Sequence, residues 1–147
     1  MTATNHGLTG ALIGAFLPLP IAIPVAFASH FVLDSLPHYG IPLKKRNETL
    51  VYRFIVYSDT LVALFIAATA VILHKWNMEI TGWVAYSPDA LWVVHYYKQD
   101  KNLHIKTKNK FMEFHRAIQR WERPWGILID LGTTAVLLPL FLVQLLK

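Results

Sequence analysis

Two imidazoles and a carboxylate recur at four-residue intervals within one of the most apolar stretches of the chain: His30, Asp34 and His38. Residues four apart on an α-helix lie on one face, with about 5–6 Å between their Cβ atoms. We therefore expect His30 and Asp34 to bind one ion together. His38 is a further candidate metal ligand, which follows Pro37 and is expected just beyond the helix end, free to turn inward or away. The chain has no cysteine, so His, Asp or Glu must hold any metal ion.

Further ionisable side chains lie inside apolar segments. A charged side chain there costs about 2.5–3.5 kcal/mol to insert into lipid, which makes each one a candidate functional residue. Beside His30 and Asp34, they are Asp59, Asp89, His95 and Asp130. Carboxylates at one depth of a membrane repel one another unless a positive charge lies between them. Imidazole and carboxylate donors together are typical of zinc, so we predict a divalent metal ion, with zinc preferred.

Two of these candidates, Asp59 and Asp130, have ordinary alternatives, and so does a further histidine, His115. Asp59 is either a catalytic carboxylate or a hydrogen-bond acceptor between packed helices. His115 either faces inward and covers the site or faces solvent and lipid headgroups. Asp130 lies close to a basic segment, and we expect it to pair with Arg120 or Arg123 rather than with a metal ion.

The elements that must position these residues are predicted to be membrane helices. Of the 147 residues, 54% are hydrophobic and 16% are charged, which is more apolar than a soluble domain of this length. We expect a single domain over residues 1–147 with an all-α fold, a multi-pass membrane bundle. The polar start of the chain has neither a basic segment nor a small-residue cleavage site, so we do not interpret it as a removable signal peptide.

The first apolar stretch, residues 8–36, is predicted to fold back on itself. Three prolines interrupt it: Pro18, Pro20 and Pro24. Prolines this close together end or kink a helix, so we expect a hairpin of two short helices, about 8–17 and 21–36, that dips into the bilayer. The hairpin returns His6 to Asp34, whereas a single kinked crossing would separate them by the width of the membrane.

Three glycines lie on one face of the first helix: Gly7, Gly10 and Gly14. Because glycine lacks a side chain, this face is predicted to let the second helix approach closely.

Three further apolar stretches are predicted to lie in the membrane: 49–73, 80–97 and 125–146. The middle one is more broken and contains Pro88. Between the last two, residues 102–122 mix apolar with basic and polar residues, the pattern of an amphipathic helix in the membrane interface.

Twelve of the 14 Lys and Arg residues lie in two segments, 44–53 and 98–123. The hairpin places the N-terminus, the site and both basic segments on one face, which the positive-inside rule makes cytoplasmic. The positive charge therefore indicates orientation in the cytoplasmic membrane, with membrane lipids as partners, and we expect no nucleic acid.

The segment from Ala28 to Ile41 resembles a known signature. Its Ser-His-(apolar)3-Asp run and the later Gly-(apolar) pair are similar to those of bacterial membrane-bound metal-dependent hydrolases, relatives of the zinc-dependent phospholipase C and P1 nuclease superfamily. That family has a Thr-His-Ser-type motif one helix earlier, where this chain has Thr4-Asn5-His6. The resemblance is good over about residues 5–41.

Two later motifs resemble the family only in part. Ser87-Pro88-Asp89-Ala90-Leu91 matches part of its Pro-Asp-(apolar)-Asp-His motif, and Phe114-His115-Arg116-Ala117 matches part of its His-Arg-Gly motif. Here both follow the His-x-x-x-Asp helix instead of preceding it, and the second Asp and the Gly are missing. The resemblance implies five metal ligands: His6, His30, Asp34, Asp89 and His115.

We therefore expect a metal-dependent hydrolase acting on a phosphoester of a lipid or lipid-linked substrate at the cytoplasmic interface. Asp34 and Asp59 are the candidate catalytic carboxylates, and the basic segments would hold the anionic headgroup. The alternative is a non-enzymatic membrane protein that binds or conducts a metal ion or protons through the same cluster. A third is a scaffold whose Asp and His side chains only hold helices together.

Overall fold

The computed structural model describes residues 1–41, 49–100 and 110–147, and for residues 91–100 it describes the helical backbone. This part of the chain contains six α-helices: α1 Ala3–Phe16, α2 Leu19–Asp34, α3 Leu50–Ile72, α4 Trp76–Asp100, α5 Lys110–Ile118 and α6 Ile127–Leu145. Two short strands, β1 His38–Tyr39 and β2 Glu122–Arg123, pair in parallel. The mostly helical fold agrees with the all-α prediction.

Helices α1 and α2 form the predicted hairpin. The turn consists of Leu17 and Pro18, and Pro20 lies in the first turn of α2, where its missing N–H leaves no helical bond unmade. Pro24 lies inside α2 without ending it. The hairpin brings the beginning of α1 to the end of α2.

Helix α1 lies at the centre and packs against α2, α3, α4 and α6. Its glycines make their closest approach to α4: a Cβ at Gly10 would collide with Thr81 and Ala85, and one at Gly14 would collide with Thr81 and Asn77. The prediction that the glycine face packs on α2 is therefore wrong. A row of glycines shows that some helix comes close, but it does not identify which one.

Helices α3 and α6 lie within their predicted stretches, and α4 is longer than its stretch. It runs as one helix of 25 residues through the buried Pro88. Helix α5 forms most of the described part of the predicted amphipathic segment. Residues 44–48 and 101–109 of the basic segments lie outside the described residues.

Polar side chains are buried in this fold while many large apolar ones are exposed. Phe65 of α3 is 73% exposed and Leu128 of α6 is 69% exposed. Among the described residues, two helices are long and apolar enough to cross a membrane, Leu50–Ile72 and Pro124–Leu145. Exposed apolar surface of this extent is unusual for a soluble monomer. The buried polar residues are Thr4, Asn5, His6, His30, Asp34, His38, Thr81, His115 and Asp130.

The two ends of the bundle differ. The site end holds the beginning of α1, the end of α2 and the beginning of α6, and all the buried polar residues except Thr81 lie there. The distal end holds the turns between α1 and α2 and between α3 and α4. The apolar core occupies the distal part of the bundle: Leu8, Ala11, Leu12, Ile66, Ala70, Met78, Phe141 and Leu145.

Candidate metal centre

Four side chains with metal-binding atoms meet at the site end: His30, Asp34, Asp89 and His115. One such atom from each lies within 4.8 Å of the others. Helix α2 supplies His30 and Asp34 one turn apart, α4 supplies Asp89, and α5 supplies His115. Three of the four side chains are fully buried, and that of Asp89 is 24% exposed.

The distances within this cluster suit a small cation. Nε2 of His115 lies 2.8 Å from Oδ2 of Asp34 and 3.0 Å from Nε2 of His30, which is itself 3.2 Å from the same Asp34 oxygen. Oδ1 of Asp89 lies 3.7 Å from Nε2 of His30 and 3.9 Å from Nε2 of His115. Ligand atoms about 2.0–2.1 Å from a tetrahedral zinc ion lie about 3.3–3.4 Å from one another. The measured distances bracket that value.

A backbone contact fixes the tautomer of His30. Its Nδ1 lies 2.8 Å from the carbonyl oxygen of Ala85, and because a carbonyl only accepts, Nδ1 carries the proton. In the neutral imidazole, Nε2 then presents a lone pair to the cluster. Metal-binding histidines commonly donate their second ring nitrogen to such an oxygen, which orients the ring.

Few protons are available to the acceptors of the cluster. With both imidazoles neutral, His30 Nε2, His115 Nε2 and Asp34 Oδ2 share the ring proton of His115 and the N–H that Gln119 donates to Asp34 Oδ2. The lone pair of His30 then faces the Asp34 carboxylate across 3.2 Å, which is repulsive in a buried site. An added proton or a metal ion removes this repulsion.

His6 contacts the opposite oxygens of the two carboxylates. Its Nε2 lies 3.1 Å from Oδ1 of Asp34 and 4.0 Å from Oδ2 of Asp89. The ring stacks on that of His30 at 4.1 Å between centroids, and within the described part of the chain its buried Nδ1 has no hydrogen-bond partner. The α-amino group of Met1 also contacts Oδ1 of Asp34, at 2.5 Å. His6 therefore lies beside the four-residue group.

Gln119 belongs to the site, although its residue type predicts no role in a metal centre. Its Nε2 donates to Oδ2 of Asp34 at 2.9 Å and lies 3.2 Å from Nε2 of His115. The available signal was its position four residues after His115, on the same helical face. An amide is a poor metal ligand, so a search for ligand types overlooks it, but its donor N–H orients the carboxylate.

Aromatic rings cover the imidazoles. Phe31 contacts His30 and His115 edge-on, with centroids 5.2 Å and 5.6 Å away. Phe111 and Phe114 pack against Phe31 in turn. This cover excludes water from one side of the cluster and strengthens electrostatic interactions inside it.

His38 lies outside the cluster. The chain turns after Pro37, and Nδ1 of His38 donates to the carbonyl of Leu36 at 2.8 Å. Nε2 is buried and lies 3.9 Å from Oε1 of Glu122. Burial lowers the pKa of His38 below its usual value, so the ring is neutral near pH 7.

Asp59 and Asp130 hold the beginning of α1. Asp59 accepts the backbone N–H groups of Ala3 and Thr4 at 2.6 Å and 3.0 Å. Asp130 accepts the N–H of Tyr39 at 2.8 Å, and its second oxygen accepts that of Thr2 at 3.3 Å. Carboxylates are favourable there because the first N–H groups of a helix have no partner within it.

Neither aspartate therefore joins the cluster. The prediction that Asp130 pairs with Arg120 or Arg123 is wrong. Its two oxygens instead accept the backbone N–H groups of Tyr39 and Thr2. Asp59 makes the contacts of a hydrogen-bond acceptor between helices, which was the alternative to a catalytic role.

The predicted ligands thus divide into the cluster, the adjacent His6 and the separate His38. The side chain of His95 lies outside the described residues. No protein-family model, curated protein or solved structure matches the chain.

Proposed function

We propose that the protein is a membrane-embedded, metal-dependent hydrolase that cleaves a phosphoester in a lipid or lipid-linked substrate. The observation that carries this proposal is the spacing of the ligand atoms of His30, Asp34, Asp89 and His115, which suits a tetrahedral divalent ion. Zinc fits the donor set of two imidazoles and two carboxylates. A bound ion of this kind activates water and polarises a phosphoryl oxygen.

Asp89 marks the side from which a substrate enters. It is the most exposed member of the cluster and the farthest from the two imidazoles. A weakly held fourth position of this kind is what a catalytic site needs, because water and substrate must exchange there. The other side is covered by Phe31.

Two exposed guanidinium groups suit an anionic headgroup at this end of the bundle. Arg116 follows His115 on α5, and Arg120 follows Gln119. Arginine binds phosphate oxygens through paired N–H groups. Together with the resemblance over residues 5–41, these positive charges support a phosphoester substrate.

The exposure of apolar side chains on α3 and α6 supports a place in the membrane. We propose a multi-pass arrangement with the site end at the cytoplasmic face, because residues 49–53 and 110–123, which belong to the two basic segments, adjoin that end.

The test is metal analysis and phosphatidic acid hydrolysis by the purified protein in mixed micelles. We expect about one divalent ion per chain and measurable release of phosphate, both lost in His30→Ala. His74→Ala is the matched control because His74 lies at the distal end, and it should retain both. A wild-type chain that binds no divalent ion, or that hydrolyses the lipid equally well without one, would refute the proposal.

One observation favours the non-enzymatic alternative of a metal-binding membrane protein. Four protein ligands can complete a tetrahedron, as in closed structural zinc sites. A tightly bound ion without turnover of any lipid phosphoester would support this second function. Conduction of ions or protons is less consistent with the fold, because the apolar core containing Leu8, Leu12 and Phe141 fills the distal part of the described bundle.

A further inference from the structure

An apolar groove lies between α1, α3 and α4. Its volume is about 120 Å³, and small residues form much of its wall: Gly7, Ala11, Ala63, Ala67, Ala70 and Gly82. A Cβ added at Gly7 would meet no atom within 4 Å, so the helices leave real space here. Apolar cavities of about 150 Å³ bind a benzene ring. The groove is somewhat smaller, but it is open to the outside, so it can hold part of the width of a hydrocarbon chain.

The length of the groove matches one leaflet of a bilayer. On α3 it extends from Thr60 to Ala70 and on α4 from Met78 to Tyr86, which at 1.5 Å per residue is about 12–15 Å. The hydrocarbon core of a bilayer is about 30 Å thick, so each leaflet contributes about 15 Å.

One end of the groove adjoins the metal cluster. Gly7, which lines the groove, follows His6, and Tyr86, at the same end, lies one helical turn before Asp89. From this end the groove runs toward the distal core, where Phe141 closes it. A molecule with a polar head at the cluster would therefore have its apolar part in the groove.

The rims of the groove face outward. Leu64 of α3 is 49% exposed and Trp83 of α4 is 47% exposed, so a chain could enter sideways from the lipid. Two polar groups of the wall have partners within the bundle: the hydroxyl of Thr60 donates to the carbonyl of Val56, and Glu79 accepts from the Trp83 indole.

We propose that this groove binds one hydrocarbon chain of the phosphorylated lipid whose phosphate lies at the metal cluster. The inference rests on the proposed function and narrows its substrate class to esters that carry a long apolar chain. Apolar burial in the groove and charge at the cluster together match an amphiphile with an anionic head.

The experiment uses phosphatidic acid with a diazirine in one acyl chain, in phosphatidylcholine vesicles containing the full-length protein. After illumination, labelled peptides are mapped by mass spectrometry. We expect labelling on the groove faces of α3 and α4, and about tenfold less in Ala67→Phe, because the larger side chain fills the space in which the chain is buried. Ala68→Phe is the matched control, since Ala68 is exposed outside the groove, and its labelling should be unchanged.

Equal labelling of the outward faces of α3 and α6, unaffected by Ala67→Phe, would mean ordinary surrounding lipid and overturn the inference. An unlabelled groove would also overturn it. Ala63→Phe serves as the second groove variant in case Ala67→Phe does not fold. Groove labelling without turnover would support lipid binding in the groove and count against the proposed hydrolase function. Turnover without groove labelling would support the hydrolase function and count against lipid binding in the groove.

Discussion

Two pairs of aspartates at the site end have opposite surroundings. Asp59 and Asp130 accept backbone N–H groups at the beginning of α1 and from β1. Asp34 and Asp89 face the imidazoles of the cluster, and Gln119 is a side-chain donor to Asp34. All four were candidates for the same reason, a carboxylate inside an apolar segment. The structure separates them by what their oxygens meet.

The difference decides which pair suits a metal ion. Backbone N–H groups bring fixed protons, so Asp59 and Asp130 are satisfied and leave no place for a cation. When one ring nitrogen of a neutral imidazole carries the proton, as Nδ1 does in His30, the other presents a lone pair. A cation between that lone pair and the Asp34 carboxylate would be attracted by both. A buried carboxylate is thus a candidate ligand when imidazole lone pairs face one of its oxygens, as at Oδ2 of Asp34, even though Met1 and Gln119 also donate to that carboxylate. It is a structural acceptor when backbone N–H groups contact both oxygens, as in Asp59 and Asp130.

The largest expected effect separates the two pairs directly. Asp34→Asn should reduce bound metal to background, because the central ligand is lost and an amide N–H meets two imidazoles. Asp59→Asn should keep its metal but lower the free energy of unfolding by about 1–3 kcal/mol, since one backbone N–H of α1 loses its acceptor. Elemental analysis measures the first effect and denaturant unfolding in detergent the second.

Asp130→Asn is the matched control for Asp59→Asn, because Asp130 also accepts backbone N–H groups. We expect it to weaken the hydrogen bond to Tyr39 and to leave the metal content unchanged. If Asp59→Asn or Asp130→Asn lost the metal while remaining folded, the division between the two pairs would be wrong.

The next effect links the metal to stability. A ligand present at 100 times its dissociation constant stabilises the folded state by about 2.7 kcal/mol. EDTA should therefore lower the stability of the wild type and of Asp59→Asn by about this amount, and it should leave Asp34→Asn unchanged. Unfolding curves with and without EDTA measure the difference. A wild type insensitive to the chelator would contradict a metal in the cluster.

The hairpin and the pairing of His30 with Asp34 follow from the sequence because both depend on neighbours along the chain. Prolines end a helix locally, and a four-residue spacing fixes a helical face. His6 reaches Asp34 for the same reason, once the turn at Leu17 and Pro18 is made.

Other contacts depend on which helices meet, and one sequence does not specify that. The spacing of Gly10 and Gly14 predicts that another helix packs closely against α1, but it does not specify that this helix is α4. His38 lies outside the cluster because the chain after Pro37 pairs with β2, a contact made across more than 80 residues. The role of Asp59 depends on the beginning of α1 reaching it, which the composition of α3 does not reveal.

The smallest expected effect concerns the donor that orients Asp34. Gln119→Leu removes the N–H that lies 2.9 Å from Oδ2 of Asp34, while the four metal-binding side chains remain. Loss of such an outer contact weakens metal binding by about 10–100-fold, and we expect the lower end here because His115 still contacts the same oxygen. Competition with a chelator of known affinity measures the change in the dissociation constant.

Gln144→Leu is the matched control, because Gln144 lies at the distal end, and its metal affinity should equal that of the wild type. Gln119→Glu separates orientation from charge: it adds a carboxylate beside Asp34, so a metal-free cluster should be destabilised while the metal-bound one is tolerated. Unchanged affinity in Gln119→Leu would mean that the packing of α2 alone orients Asp34, and that the cluster differs from the Asp59 and Asp130 pair only in its imidazoles.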